Sequence, residues 1–249
     1  MIKLIKSGYG KVVSLLMGCL PFYRDLVIFW NLSRRTVKRH QLSALDLWPC
    51  LFEKNKEPFV DRHYIYHTAW AARILAKTRP NIHIDISSSL FFVSMVSGFV
   101  PIRFYDFRKP DLTLDGLTVE SANLLNLPFD DNSISSLSCM HVVEHIGLGR
   151  YGDELDPDGD LKAISELTRV LAHGGQLLFV VPVGRSRIQF NAHRIYSYEQ
   201  VTGYFKRLEL REFSLIPDSP KDGGLIRNVA KGMADQQSYG CGCFWFMKP

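Results

Sequence analysis

From residue 80 onward the chain alternates short apolar runs with stretches of helical spacing, and this rhythm constrains its fold more than any other feature. Strand, helix and strand in succession build βαβ units, whose product is a mostly parallel sheet with helices on both faces. Ile82-His83-Ile84-Asp85 reads as a first strand, Leu90 to Val96 as a helix and Ile102 to Asp106 as a second strand, so two strands end in aspartate. Leu117-Thr118-Val119 and Ile134 to Met140 supply a third and a fourth. Leu161, Ile164, Leu167 and Leu171 then recur at helical spacing behind a cap at Asp158 or Asp160, with Gly174-Gly175 as the stop. Gln176 to Pro182 is apolar on both faces, as a buried parallel strand must be. Ser197 to Phe205 reads as a helix, and Leu208 to Ile216 with Cys243 to Met247 completes a sheet of seven strands. Pro217 to Gly242 reads as a loop-rich insertion.

With 249 residues, 46% of them hydrophobic, the chain has apolar material for one domain and an appendage. We expect a basic, amphipathic helical segment over residues 1–59 and an α/β domain over 60–249. Five scattered cysteines suit a reducing, cytoplasmic setting rather than a disulfide scaffold. The net charge of +5 is concentrated: residues 1–40 hold eight basic side chains against the single acid Asp25. Such asymmetry speaks against a nucleic-acid footprint spread over the fold. The charge-free stretch from Val12 to Tyr23 is too short to cross a bilayer, which takes about 20 apolar residues. Residues 1–35 therefore read either as an interfacial helix in peripheral contact with the inner face of a membrane or as ordinary soluble packing.

In open α/β sheets the ligand lies beyond the carboxyl ends of the strands. That rule gathers Asp85, Ser87, Ser88, Ser89, Asp106, Asn123, Leu124 and His141 around one crevice. Backbone N–H groups of the Asp85–Ser89 turn suit an anionic group. Asp106, 21 residues beyond Asp85, stands where a second-strand carboxylate takes both hydroxyls of a ribose. The alternative is that the serines only cap a helix and Asp106 only ends a strand.

These elements carry a resemblance. Asp85-Ile-Ser-Ser-Ser, Asp106, Leu127-Pro-Phe-Asp-Asp-Asn-Ser133, His141-Val-Val-Glu-His-Ile146, Glu166-Leu167 through Arg169-Val-Leu171, Gly174-Gly175 and Val181-Pro182 run in the order of class I S-adenosylmethionine-dependent methyltransferases, over roughly residues 80–216. More narrowly, the segments from His141 to Asp153 and from Phe190 to Arg194 resemble a methyltransferase-like family linked with surface-polysaccharide biosynthesis. The resemblance implies a Rossmann-like fold and S-adenosylmethionine as cofactor. It implies that Asp85 and Ser87–Ser89 meet the methionine end, Asp106 the ribose, Asn123 and Leu124 the adenine, and His141 the segment facing the sulfonium. The family usually has glycine where this chain has Ser87 and Ser89, and aspartate where it has Ser135.

Methylation of a hydroxyl needs a base, because an alcohol is a poor nucleophile until its proton can leave. Glu144, His145, Asp153 and His193 are the candidates. His145 is preferred because imidazole titrates nearest neutral pH, with Glu144 or Asp153 orienting it. Arg150, Tyr151, Arg194 and Tyr196 are expected to line the acceptor, a carbohydrate or glycolipid-linked sugar, by bidentate hydrogen bonds and stacking.

His141-Val-Val-Glu-His145 also matches H-x-x-E-H, a zinc-hydrolase signature, but Gly147 and Gly149 interrupt the two helical turns that such a pair requires. The acidic run Asp153, Glu154, Asp156, Asp158, Asp160 lacks the glycine and glutamate of a calcium loop and reads as a solvated, helix-capping face. Cys241-Gly-Cys243 reads as two free thiols, and no metal is expected. Tyr64, His67 and Trp70 share one helix face, read first as core and second as a ligand contact. The activity that the resemblance implies is methyl transfer to a sugar hydroxyl of a surface polysaccharide or its precursor. The alternative is a catalytically silent scaffold of the same fold in polysaccharide assembly, for which the serine-filled turn is the best support.

Overall fold

A computed structural model describes residues 19–35, 42–51 and 60–249. Lys3, Lys6, Lys11, Lys38, Arg39 and most of the Val12–Tyr23 stretch lie outside the described residues. The chain divides into two compact units, Met1–Val60 and Asp61–Pro249. In the first, helix α1 (residues 19–33) leaves Leu20, Val27, Phe29 and Trp30 exposed. Ala44–Asp46 forms one 3-10 turn capped by the Ser43 hydroxyl. Among the described residues no helix is long and apolar enough to cross a membrane.

The second unit carries the sheet. Its strands are β1 (His83–Ile86), β2 (Ile102–Asp106), β3 (Leu117–Ser121), β4 (Ile134–Met140), β5 (Leu171–Val183), β8 (Glu209–Ile216), β9 (Ile226–Arg227) and β10 (Gly240–Met247). They lie in the order β3-β2-β1-β4-β5-β10-β8-β9, and a hairpin of β6 (Arg187–Gln189) with β7 (His193–Ile195) stands apart. β3, β2, β1, β4 and β5 run parallel, and β10 is antiparallel to both its neighbours, β5 and β8. The sheet is thus mixed and has eight strands rather than seven. The extra one is β9, two residues long, pairing with Ser214 and Leu215 at the sheet edge from within the expected loop-rich insertion.

Period-two alternation explains why both faces are apolar. Leu177, Phe179, Val181 and Val183 of β5 point to one side, where α4 (Gly159–Val170), α5 (Tyr198–Tyr204) and α6 (Lys231–Asp235) supply Ile164, Leu167, Val201 and Ala234. Leu178 and Val180 point to the other, against α2 (Arg62–Thr78) and α3 (Leu90–Val96), with Trp70, Ile74, Phe92 and Val96. Cys241 and Cys243 of β10 belong to this second side. Trp70 is fully buried, and its indole Nε1 donates to Glu212 Oε1 at 2.8 Å, fixing α2 on β8.

The helix expected to run through Leu171 to Gly174-Gly175 ends at Val170. Leu171 is already extended and pairs with Ile134, so it belongs to β5. Asp158 holds the cap position of α4 without a side-chain bond, whereas Asp160 is buried, not a solvated or capping acid. Polar groups also cross the middle of the sheet. His83 Nδ1 and Nε2 each lie 2.8 Å from a serine hydroxyl, Ser136 and Ser138, on the neighbouring strand. Gln176 Nε2 donates to Ser136 Oγ at 3.1 Å and to Thr78 Oγ1 at 2.9 Å, and Trp245 Nε1 donates to Gln176 Oε1 at 3.1 Å. His83, Ser136, Ser138 and Gln176 are buried and satisfy one another, the condition on which buried polar side chains are tolerated.

Candidate functional site

The ends of the neighbouring strands β1, β2 and β4 bring Asp85, Asp106 and His141 to one edge of the sheet. Asp85 is fully buried; its Oδ1 accepts the Ser88 N–H at 3.0 Å and its Oδ2 the Ser138 hydroxyl. Burial, aided by the nearby Asp106 carboxylate, pushes its pKa up to about 6 against the opposing hydrogen bonds. Asp85 therefore ties the turn together rather than presenting a free carboxylate. Ser87 takes φ +56°, the left-handed conformation for which glycine is normally chosen, while its hydroxyl donates to Tyr105 O at 3.2 Å. The turn thus keeps a glycine-like course without glycine. Ser88 Oγ accepts the Met140 N–H at 3.1 Å, joining the turn to β4, and Ser89 holds the cap position of α3 without a side-chain bond.

Asp106 is half-buried, and its Oδ1 accepts the Arg108 N–H at 2.7 Å. Asn123 Oδ1 accepts the Leu125 N–H at 2.9 Å in a tight turn after β3, and Leu124 is buried beneath it.

His141, directly after β4, has φ +57° and is nearly buried. Its Nδ1 donates to Glu144 Oε1 at 2.8 Å. Val143–His145 is a single 3-10 turn, so the H-x-x-E-H residues do not share a helix. Glu144 is fully enclosed. Burial works to raise its pKa, but the hydrogen bond from His141 and the imidazoles on either side win, holding it below the usual carboxylate range. Its Oε2 is buried without a partner. His145 Nδ1 donates to Ala192 O at 2.7 Å, which leaves Nε2 as the ring's lone-pair atom, 3.8 Å from Glu144 Oε1. Arg150 Nη1 donates to the same carbonyl at 2.9 Å.

The following loop is held from inside. Asp153 Oδ2 accepts the N–H of Gly147 at 2.7 Å and of Gly149 at 3.3 Å, and its Oδ1 that of Tyr151 at 3.2 Å. Gly147 has φ +81°, and a Cβ there would fall 2.0 Å from the Asp156 carbonyl oxygen, so only glycine fits. Asp153, expected as a catalytic candidate, is thereby spent on the loop backbone. Arg194 and Tyr196, expected at the acceptor, are likewise committed elsewhere, being 5% and 3% exposed. Arg194 donates to the carbonyls of Ile146, Asp156 and Pro157 at 2.6, 3.3 and 3.0 Å and faces Asp160 at 3.5 Å, while the Tyr196 hydroxyl donates to Asp160 at 2.9 Å. Arg150 and Tyr151 do reach the surface, and the guanidinium groups of Arg108 and Arg150 lie 4.8 and 5.1 Å from the centre of the Tyr151 ring. His193 packs on Tyr239 at 4.8 Å between ring centres, and burial lowers its pKa.

His63 and Tyr239, which spacing did not single out, join the site together with part of the α2 stripe. His63 stacks 5.5 Å from His141 and 5.1 Å from Tyr239. Tyr64 and His67, the upper part of the α2 stripe, reach His141 at 5.4 and 5.0 Å, whereas Trp70 of the same stripe is core. Burial lowers the His63 pKa to about 4 and raises those of Tyr64 and Tyr239 to about 12, so these rings are neutral at physiological pH. Among the described residues, five histidines are gathered here by ring contacts, His63 and His67 with His141, His145 with His193, and both His63 and His193 with Tyr239.

Residues 129–213 match a family described as Caenorhabditis protein of unknown function, DUF268. A 97-residue stretch is 31% identical to the uncharacterized protein MJ0638 of Methanocaldococcus jannaschii, covering 38% of this chain. The match spans only 34% of that protein's length. The architecture is that of class I methyltransferases. The N-methyltransferase NodS of Bradyrhizobium japonicum, solved with S-adenosylhomocysteine, superposes with a TM-score of 0.52 at 12% identity, over 80% of this chain and 92% of that one. The Burkholderia thailandensis 1,6-didemethyltoxoflavin-N1-methyltransferase, solved with its acceptor and S-adenosylhomocysteine, gives 0.53 at 10% identity, over 74% and 79%.

Proposed function

We propose that this protein is an S-adenosylmethionine-dependent methyltransferase acting on a hydroxyl of a carbohydrate, in a surface polysaccharide or its glycolipid-linked precursor. The observation that carries the reading is the placement of His145, held through Nδ1 by the Ala192 carbonyl, with its Nε2 3.8 Å from the enclosed Glu144 carboxylate at the carboxyl end of β4. The cofactor, when bound, supplies a methyl group on a sulfonium. The donor set fits it in part: Asp106 would accept from the ribose hydroxyls, the left-handed Ser87 turn would pass beside the methionine end, and Asn123 and Leu124 would border the adenine. Asp85 would act through the turn that it holds.

In this reading His145 Nε2 takes the proton of the acceptor hydroxyl as the oxygen becomes nucleophilic. Glu144 steadies the imidazolium so formed, and Ala192 O keeps the ring aimed through Nδ1. Tyr151, with Arg150 beside it, offers a sugar an aromatic face and a cationic donor. The carbohydrate acceptor follows from the sequence resemblance, and the apolar residues exposed on α1 would suit peripheral membrane contact. A second reading, a silent scaffold, draws on Asp85 being sealed and on the serine-filled turn.

Calorimetric titration with S-adenosylmethionine and S-adenosylhomocysteine separates the two. Micromolar binding, about −8 kcal/mol, is expected. Asp106→Ala should weaken it about 100-fold, the worth of charge-assisted bonds to two hydroxyls, with the melting temperature unchanged. Binding that ignores this substitution would refute the ribose assignment, and no binding to either ligand would leave the scaffold reading in possession.

A further inference from the structure

Beyond methyl transfer, we propose that His63, His141 and Cys241 form a binding site for a zinc-class divalent metal ion. The residues come from three distant parts of the second unit: the first turn of α2, the exit of β4 and the start of β10. Their donor atoms all lie within 4.8 Å of one another, and Cys241 Sγ stands 3.4 Å from His141 Nε2. Ligands of a tetrahedral zinc ion, with bonds of about 2.3 Å to sulfur and about 2.1 Å to nitrogen, sit about 3.6 Å apart. The His141–Cys241 pair already stands near that separation. No pair is more than 4.8 Å apart, so the side-chain movement needed is at most about an ångström.

The surroundings match what a metal requires. His141 Nδ1 donates to the enclosed Glu144 carboxylate, so Nε2, the atom facing Cys241, carries the lone pair. A carboxylate behind a ligating imidazole fixes its tautomer and strengthens it as a donor. His67 packs edge-on against the same ring; its Nδ1 donates to His63 O at 2.6 Å, and its Nε2 is buried without a partner. Tyr239 stacks on His63 and limits that ring's movement. Two imidazoles and a thiolate are borderline-soft donors that favour zinc over magnesium or calcium. Three protein ligands leave a fourth position open, the pattern of catalytic rather than structural zinc sites. A hydroxyl of the proposed acceptor, if it took that open position, would be acidified there. That role rests on the methyltransferase reading; the binding of the metal does not.

The test uses the full chain, stripped with a chelator and titrated with cobalt(II) chloride, then competed with zinc chloride. One equivalent of cobalt should bind with an intense thiolate-to-cobalt charge-transfer absorption that zinc abolishes. Cys241→Ser should remove that absorption, and Cys243→Ser should retain it. Glu144→Gln should weaken cobalt binding about ten- to hundredfold. His63 is only partly buried, so His63→Ala is expected to fold; zinc should raise the melting temperature of the parent protein and not of this variant. No charge-transfer band in the parent protein, a band that survives Cys241→Ser, or an equal zinc shift in His63→Ala overturns the proposal. The readouts need no cofactor, so a cobalt site without S-adenosylmethionine binding would refute the methyltransferase reading alone, and the reverse result the metal site alone.

Discussion

Replacing Arg194 with alanine is expected to cost about 3–5 kcal/mol of folding stability, the range for breaking a buried ion pair from one side. The guanidinium is nearly inaccessible and serves three carbonyls, those of Ile146, Asp156 and Pro157, besides the Asp160 carboxylate. Its removal leaves Asp160 with only the Tyr196 hydroxyl and strips the loop between Ile146 and Pro157 of its anchor. Arg194→Lys should recover little, because a point charge cannot reproduce a planar fork aimed at several oxygens. Arg194→Met with Asp160→Asn should be less damaging than the sum of the two single changes, since no unpaired charge then remains. Urea denaturation measures all of these, and a loss below about 1 kcal/mol for Arg194→Ala would contradict the buried role. Limited proteolysis should first cut the loop that carries Arg150 and Tyr151.

Acid is expected to weaken the protein through His83. Burial lowers that imidazole's pKa from 6.5 to about 3, so the folded state refuses a proton that the unfolded chain accepts. The sign follows: its stability contribution is complete above pH 6.5 and is lost as pH falls towards 3. Between pH 7 and 4.5 the loss is about 3 kcal/mol. His63, lowered to about 4, acts in the same direction, and its partial exposure makes its share smaller. Asp85 opposes them. Its pKa, raised to about 6, makes the ionised form costly at neutral pH, and protonation between 6 and 3.8 returns about 2 kcal/mol by pH 4.5. The net expectation is a decline. His83→Gln, which cannot take up a proton, should lose about 3 kcal/mol less than the parent over that interval, whatever its stability at pH 7. Parallel stability curves for the two proteins would remove His83 as the cause.

The sequence disclosed those parts of the fold that depend on local pattern. Ile102–Asp106, Leu90–Val96 and Ile134–Met140 are found at the expected bounds, because each is a segment rich in apolar residues between clear breaks. β9 escaped because a two-residue strand has no periodicity to read. The rule that strand ends carry ligands singled out Asp85, Asp106 and His141, and the structure has them at the ends of the neighbouring strands β1, β2 and β4. What these side chains do there depends on burial, and spacing does not encode burial: Asp153, Arg194 and Tyr196 have the chemistry of site residues but are occupied by backbone groups or by Asp160. His63, Tyr239 and Cys241 failed to stand out for the opposite reason. Each is ordinary in its own segment, and only the packing of α2 and β10 beside His141 gives them a shared purpose. The one signal available, two histidines four apart at the start of α2, points to a helix face without saying what it faces.

β10, the last strand in the chain, lies between β5 and β8 with a strand on either side. It works as a keystone: until it arrives, β5 and β8 each present a bare edge, and unpaired edges invite pairing with other chains. Its contacts reach far back along the chain, and loop closure over such distances slows folding. A chain that has formed everything up to α6 would therefore be an aggregation-prone intermediate in need of chaperone protection, and lesions in β10 should reduce soluble yield more than their burial alone implies.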